Sequence, residues 1–147
     1  MQFSSKLAVS SHILLAIMEF DGKVKTTSEF LAGSVNVNPV IVRNMLLKLK
    51  EAGIIRTKAG VGGSELAKDA KDITLKDVLL AVEKDMEIFK FHENPNQKCI
   101  VGRNVHALLD KRLNKAQKAM VDELDKTTLK DLKNEMDIMI KEQEREK

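Results

Sequence analysis

Tryptophan and tyrosine are absent from this 147-residue chain, and Phe, Trp and Tyr together make up only 3% of it. The core must therefore be filled by Leu, Ile, Val, Met and Ala, a set that favours helices because most of these side chains lose little rotamer freedom there. The one cysteine, Cys99, excludes an intramolecular disulfide framework and fits a reducing compartment, so a cytoplasmic protein is expected. No apolar run nears the roughly 20 residues of a membrane-spanning helix. The longest near the start, Ile13 to Met18, has six. Lys6 ahead of that run resembles the start of a leader peptide. However, Ser10, Ser11 and His12 break the run, and no small-residue cleavage site follows Phe20, so a buried helix is expected. Catalytic signatures are missing too. No Ser/His/Asp order or metal-ligand spacing is visible, and Gly60-Val61-Gly62-Gly63 lacks the Lys and Ser/Thr of a phosphate loop. An enzyme is not expected.

What the chain has is aliphatic and charged: 43% hydrophobic and 32% charged residues, enough for one compact lobe with or without an appended oligomerisation element. The net charge of +3 is unevenly placed. Residues 1–70 hold nine Lys/Arg against six Asp/Glu, whereas residues 71–147 hold sixteen of each. Between positions 36 and 58, Arg43, Lys48, Lys50, Arg56 and Lys58 face only Glu51. A basic patch beside a neutral tail fits a polyanion partner, although a solvated lysine-rich surface has the same composition.

Periodicity orders the elements. Val9, Ile13, Ala16, Ile17 and Phe20 recur at helical spacing from Ser5 to Phe20, which places His12 among core residues. Thr26 and Glu29 have capping-box spacing for a second short helix. Asn38 and Pro39 suit the cap and first turn of a third helix, which Gly53 ends. Its core face is Val42, Met45, Leu46 and Leu49, and Arg43, Asn44, Leu47 and Lys48 point outward. Ile54–Lys58 and Ser64–Ala67 flank a glycine-rich turn and read as a hairpin. A fourth helix follows over Ile73–Glu83 with Thr74 as cap, then a loop over Met86–Lys98. A long helix spans Ile100–Asp125, and a last one, capped by Thr128, frays over Lys141–Lys147.

Three helices followed by a two-stranded hairpin is the order of a winged helix-turn-helix, so the fold class expected is mainly α with a two-stranded wing and a long C-terminal dimerisation helix. Three parts are expected: a DNA-binding domain over 1–84, a connecting loop over 85–98 and dimerisation helices over 99–147. In such a fold the third helix enters the major groove of double-stranded DNA, where Asn reads adenine and Arg reads guanine. The expected DNA-contacting set is Thr27, Ser28, Asn36, Asn38, Pro39, Val40, Arg43, Asn44 and Leu47, with Arg56, Lys58, Gly62 and Gly63 from the wing. The same lobe used only for protein contacts is the alternative. In the long helix Val105, Leu108, Leu109, Ala116 and Met120 form a stripe that a symmetry mate would bury in a homodimer. An intramolecular hairpin with the last helix would use the same residues.

The runs Asn38-Pro39-Val40, Leu49-Lys50-Glu51-Ala52-Gly53-Ile54, Gly60-Val61-Gly62-Gly63 and Leu66-Ala67-Lys68 together resemble the Rrf-two (Rrf2) family of bacterial regulators. So do Ile73-Thr74-Leu75-Lys76-Asp77-Val78, Ala81-Val82-Glu83 and Thr128-Leu129-Lys130-Asp131-Leu132. Phe91-His92-Glu93-Asn94-Pro95-Asn96 with Cys99-Ile100-Val101-Gly102 looks like the YwnA-like branch. The resemblance implies a dimeric DNA-binding protein, usually a repressor, with its wing on the minor groove or backbone. It also marks a departure, because the family's iron–sulfur and nitric-oxide sensors carry three cysteines where this chain has only Cys99. A cluster needs three or four thiolates, so no cofactor and no metal are expected, even with His92, Glu93 and His106 near Cys99. Cys99 is either a small packed hydrophobe or a sensor of redox or electrophilic signals.

Overall fold

The computed structural model describes residues 4–85 and 88–147. Helix α1 (Lys6–Phe20) buries Ser10, Ile13, Leu14, Ala16 and Ile17, positions three and four apart that share one helical face. Helix α2 (Ser28–Val35) ends on Asn36 in the left-handed conformation, φ 63°, which Asn tolerates better than most residues. Helix α3 (Pro39–Glu51) begins with proline, whose missing N–H is no loss in the first turn, and the Asn38 side chain accepts from the Val40 amide at 2.8 Å. Strands β1 (Ile55–Thr57) and β2 (Ser64–Leu66) pair antiparallel, with Arg56 opposite Glu65. A single 3-10 turn (Ala70–Asp72) leads into α4 (Leu75–Val82), then α5 (Ile100–Leu124) and α6 (Leu129–Arg145). The order and class match the sequence expectation.

Ile13, Leu31, Val42, Leu49, Ile54, Ile73, Val78, Val82 and Leu129 are almost fully buried and form one core from α1 to α4, the wing root and α6. Burying each such side chain contributes about 1.5–3 kcal/mol.

Helix α6 runs to Arg145, through the charged end that follows Ile140. Its start packs on the N-terminal helices: Leu129 is buried in the main core, and Lys133 of α6 reaches Glu19 of α1 at 2.9 Å. The cause is a pair of matching helix starts. Thr74-Leu75-Lys76-Asp77 and Thr128-Leu129-Lys130-Asp131 each close a capping box, with the Thr hydroxyl and Asp carboxylate satisfying each other's backbone N–H. The two starts then pair as an antiparallel bridge. Leu75 N–H donates to the Thr127 carbonyl at 3.0 Å, and Leu129 N–H donates to the Ile73 carbonyl at 2.9 Å. This bridge docks the start of α6 on the start of α4.

His12 is exposed rather than packed in the core, with Nε2 2.9 Å from Ser34 Oγ. The cap of α2 is Thr27, whose hydroxyl accepts from the Phe30 amide at 3.2 Å, and not Thr26. Thr26 is buried and spans to the wing instead, donating to the Ser64 carbonyl at 2.9 Å and accepting from the Ser64 amide at 3.2 Å. Of the loop expected over 86–98, Met86 and Glu87 lie outside the described residues.

Candidate nucleic-acid interface

Helix α3 turns Val42, Met45 and Leu49 inward, which leaves Val40, Arg43, Asn44 and Leu47 exposed on the opposite side. Leu47 is 57% exposed and Val40 51%. Arg43 lines a notch of about 320 Å³ with Thr27, the cap of α2, with Ser28 and Glu29 of α2, and with Gly63 and Ser64 of the wing. Asn44 and Leu47 instead line a groove of about 420 Å³ on the α1 side, with Lys6 and Lys84. Arg43 is thus on one flank of α3, and Asn44 and Leu47 are on the other.

Other expected residues have duties inside the chain. Asn38 Oδ1 caps α3, and the Asn36 N–H donates to the Ala32 carbonyl at 2.8 Å in the turn between α2 and α3. Pro39 is half-buried in the first turn of α3. Arg56 pairs with Glu65 across the hairpin at 3.1 Å, Lys58 with Asp21 at 3.0 Å and Arg43 with Glu29 at 3.7 Å. Lys48 does not point freely outward; it reaches the Val82 carbonyl at 3.4 Å. Lys50, outside the expected set, donates to Thr57 Oγ1 at 3.0 Å and ties α3 to the wing. At the wing tip Gly62 and Gly63 have φ of 79° and 80°, and a side chain at 63 would meet the Thr26 backbone at 3.0 Å.

The α5 helix buries none of its 25 residues. The segment from 88 to 99 runs back along one of its faces: the Ile88 amide donates to Gln117 Oε1 at 3.2 Å, and His106 Nε2 lies 3.1 Å from the His92 carbonyl. The expected stripe is therefore split. Val105 and Met120 are half-buried against their own chain, whereas Leu108, Leu109 and Ala116 are exposed, with Ile100 and Val101 beside them.

Cys99 is exposed and is the N-cap residue of α5. The amides of Gly102 and Val101, pointing out of the first turn, hold its thiol below the ordinary value. Its surroundings do not fit an iron–sulfur cluster. No three His, Cys, Asp or Glu side chains among the described residues stand together as a metal site. His106 stacks on Phe91 at 4.6 Å between ring centres and faces a carbonyl rather than the thiol.

The sequence model for Rrf2, described as an iron-dependent transcriptional regulator, matches residues 3–135. The chain belongs to the Rrf2 family. Members of this family are transcription regulators and not enzymes, and the DNA-binding winged helix is the part they share. The chain is 47% identical over 133 residues to YwnA of Bacillus subtilis (strain 168), a candidate HTH-type transcriptional regulator, covering 90% of this chain and 98% of that one. A crystal structure of a candidate DNA-binding protein shares 43% identity and superposes with a TM-score of 0.72, over 87% of this chain and 98% of that one. CymR, the global cysteine regulator of B. subtilis, has the same fold at 21% identity and a TM-score of 0.65, over 91% and 97% of the two chains. No helix among the described residues is long and apolar enough to cross a membrane.

Proposed function

We propose that this Rrf2 regulator is a cytoplasmic homodimer that represses transcription by binding an inverted-repeat operator. The exposed face of α3 carries the reading. A helix that leaves Val40, Arg43, Asn44 and Leu47 in solvent beside a wing has the shape and chemistry to enter a major groove. Arg43 suits guanine, Asn44 suits adenine, and the aliphatic pair suits thymine methyl groups. Thr27 and Ser28 at the start of α2, with Asn36, Asn38 and Pro39 at the turn, hold the helix against the backbone. Arg56, Lys58, Gly62 and Gly63 set the wing on phosphates.

The dimer supplies the two-fold symmetry that paired half-sites require. Its support is α5, whose Leu108 and Val101 are 66% and 65% exposed in the single chain. Cys99 is the proposed point of response to an oxidant or electrophile: it is exposed, and the helix amides favour its thiolate. Residues 1–84 are assigned to DNA binding and α5 to pairing.

Selection of bound duplexes from a random pool tests the reading. The expected result is an inverted repeat with half-sites about one helical turn apart. A pool that shows no enrichment at low salt sinks it and leaves a winged lobe used for protein contacts.

A further inference from the structure

Lys48 and Lys50 reach only neutral oxygens, of Val82 and Thr57, whereas other cations around the interface are paired with carboxylates. Arg43, Arg56 and Lys58 each have a carboxylate partner, and Lys23 pairs with Glu19 at 3.7 Å. Lys25 does not. It is exposed, and no carboxylate among the described residues lies within ion-pair distance of it.

Its side chain lies across the wing. A Cβ at position 62 would lie 2.5 Å from Lys25 Cε and 2.9 Å from its Nζ, so the ammonium end lies directly over the Gly62 backbone at the tip of the wing. Thr26, the next residue, is buried and bonded twice to Ser64, which fixes the start of the lysine side chain to the same hairpin. A notch of about 240 Å³ opens there, lined by Asp21, Lys23, Lys25, Lys58 and Val61 as well as Gly62. Thr26 lines both this notch and the one that holds Thr27, Arg43 and Gly63, so the two openings adjoin.

We propose that Lys25, seated across Gly62, binds a backbone phosphate of duplex DNA at the wing tip, which extends the interface along the loop between α1 and α2. The proposal rests on the DNA-binding reading above and adds a contact to it. Lys25 brings an uncompensated charge, so a phosphate displaces only counterions. Arg56 and Lys58 must exchange a carboxylate for the phosphate and return less. Gly62 then has two roles. Its φ of 79° suits glycine, and its bare Cα leaves room for the lysine.

The test is a double-mutant cycle on the full chain, with Lys25→Ala, Gly62→Ala and the double variant titrated against the selected operator and an unrelated duplex across a salt series. Lys25→Ala is expected to weaken both duplexes by the same factor, roughly three- to tenfold at 0.15 M salt, and to lower the salt slope by about 0.9. Lys58→Ala is expected to lower the slope less, and Lys25→Arg to restore it. Gly62→Ala is expected to cost more affinity in the wild-type background than in Lys25→Ala. Backbone strain at position 62 is common to both arms and cancels, which leaves the seat of the lysine as the difference. Lys25→Ala matching the wild type in affinity and slope overturns the proposal alone. Equal costs of Gly62→Ala in both backgrounds overturn the seat. A wild-type protein that binds no duplex overturns the functional reading as well.

Discussion

Leu108→Glu separates a dimerisation helix from a helix that is merely exposed. In the single chain Leu108 is 66% exposed and α5 buries nothing. The substitution therefore removes almost no intrachain packing, and the fold should change by no more than about 0.5 kcal/mol. In a dimer the same residue is buried on both subunits. Taking about 2 kcal/mol for each buried leucine side chain, the loss is about 4 kcal/mol per dimer, or nearly three orders of magnitude in Kd at about 1.4 kcal/mol per tenfold. Two carboxylates facing one another add to that. Sedimentation velocity at micromolar protein should show a dimer for the wild type and a monomer for Leu108→Glu, with unchanged helical circular dichroism. Leu109→Glu, starting from 40% exposure, should also dissociate the dimer. If both variants sediment as dimers of wild-type affinity, the interface lies elsewhere.

Further outcomes are expected at the interface, the α6 cap and Cys99. Arg43→Ala should cost about 1–3 kcal/mol on the operator and flatten discrimination at one base pair, whereas Glu65→Gln should strengthen binding to any duplex at low salt by freeing Arg56; binding titrations on matched and mismatched sites distinguish the two. The Thr128 amide and hydroxyl hold the Asp131 carboxyl below its ordinary value, so the α6 cap contributes its stability above the unfolded carboxylate value and loses it as pH falls through the lower folded one; Asp131→Asn should flatten that acid limb in thermal melts, and an identical pH profile in the variant would remove the cap's role. Cys99 should alkylate faster at neutral pH than a cysteine in an unstructured peptide, and Cys99→Ser should abolish any effect of mild peroxide on operator binding; an inert thiol in the native protein would make Cys99 a surface residue with no sensing role.

Element order and core were legible because aliphatic spacing alone fixes them: Ile13, Ile17, Val42, Leu49, Val78 and Val82 were all identifiable as inward-facing, and all are buried. Pairing across the chain was not. Thr26 and Glu29 have the spacing of a capping box, yet the hydroxyl of Thr26 goes to Ser64, 38 residues away, and the cap shifts by one residue to Thr27. The twin Thr-Leu-Lys-Asp segments are plain in the sequence as two helix starts, but their bridge to one another depends on tertiary closure. At the interface, residue type pointed to Arg43, Arg56 and Lys58 without revealing their carboxylate partners. Lys25 was missed because its neighbour in space is a glycine in a different element.

The bridge between the two helix starts has a mechanical consequence. Thr74 Oγ1 also donates to Asp125 Oδ1 at 2.9 Å, so the C-terminal end of α5 is clamped to the DNA-binding lobe at the root of α4. Its opposite end is held by its own preceding segment, where a Cβ at Gly102 would collide with the Asn96 carbonyl. At about 1.5 Å per residue the helix is a lever arm of about 37 Å with its fulcrum at Thr74 and Asp125. A tilt of about 5° at that fulcrum swings the Cys99 end by about 3 Å. If the proposed dimer is joined along this arm, small rotations at the clamp would become changes in the separation of the two α3 helices, the quantity that the proposed operator with fixed half-site spacing would measure.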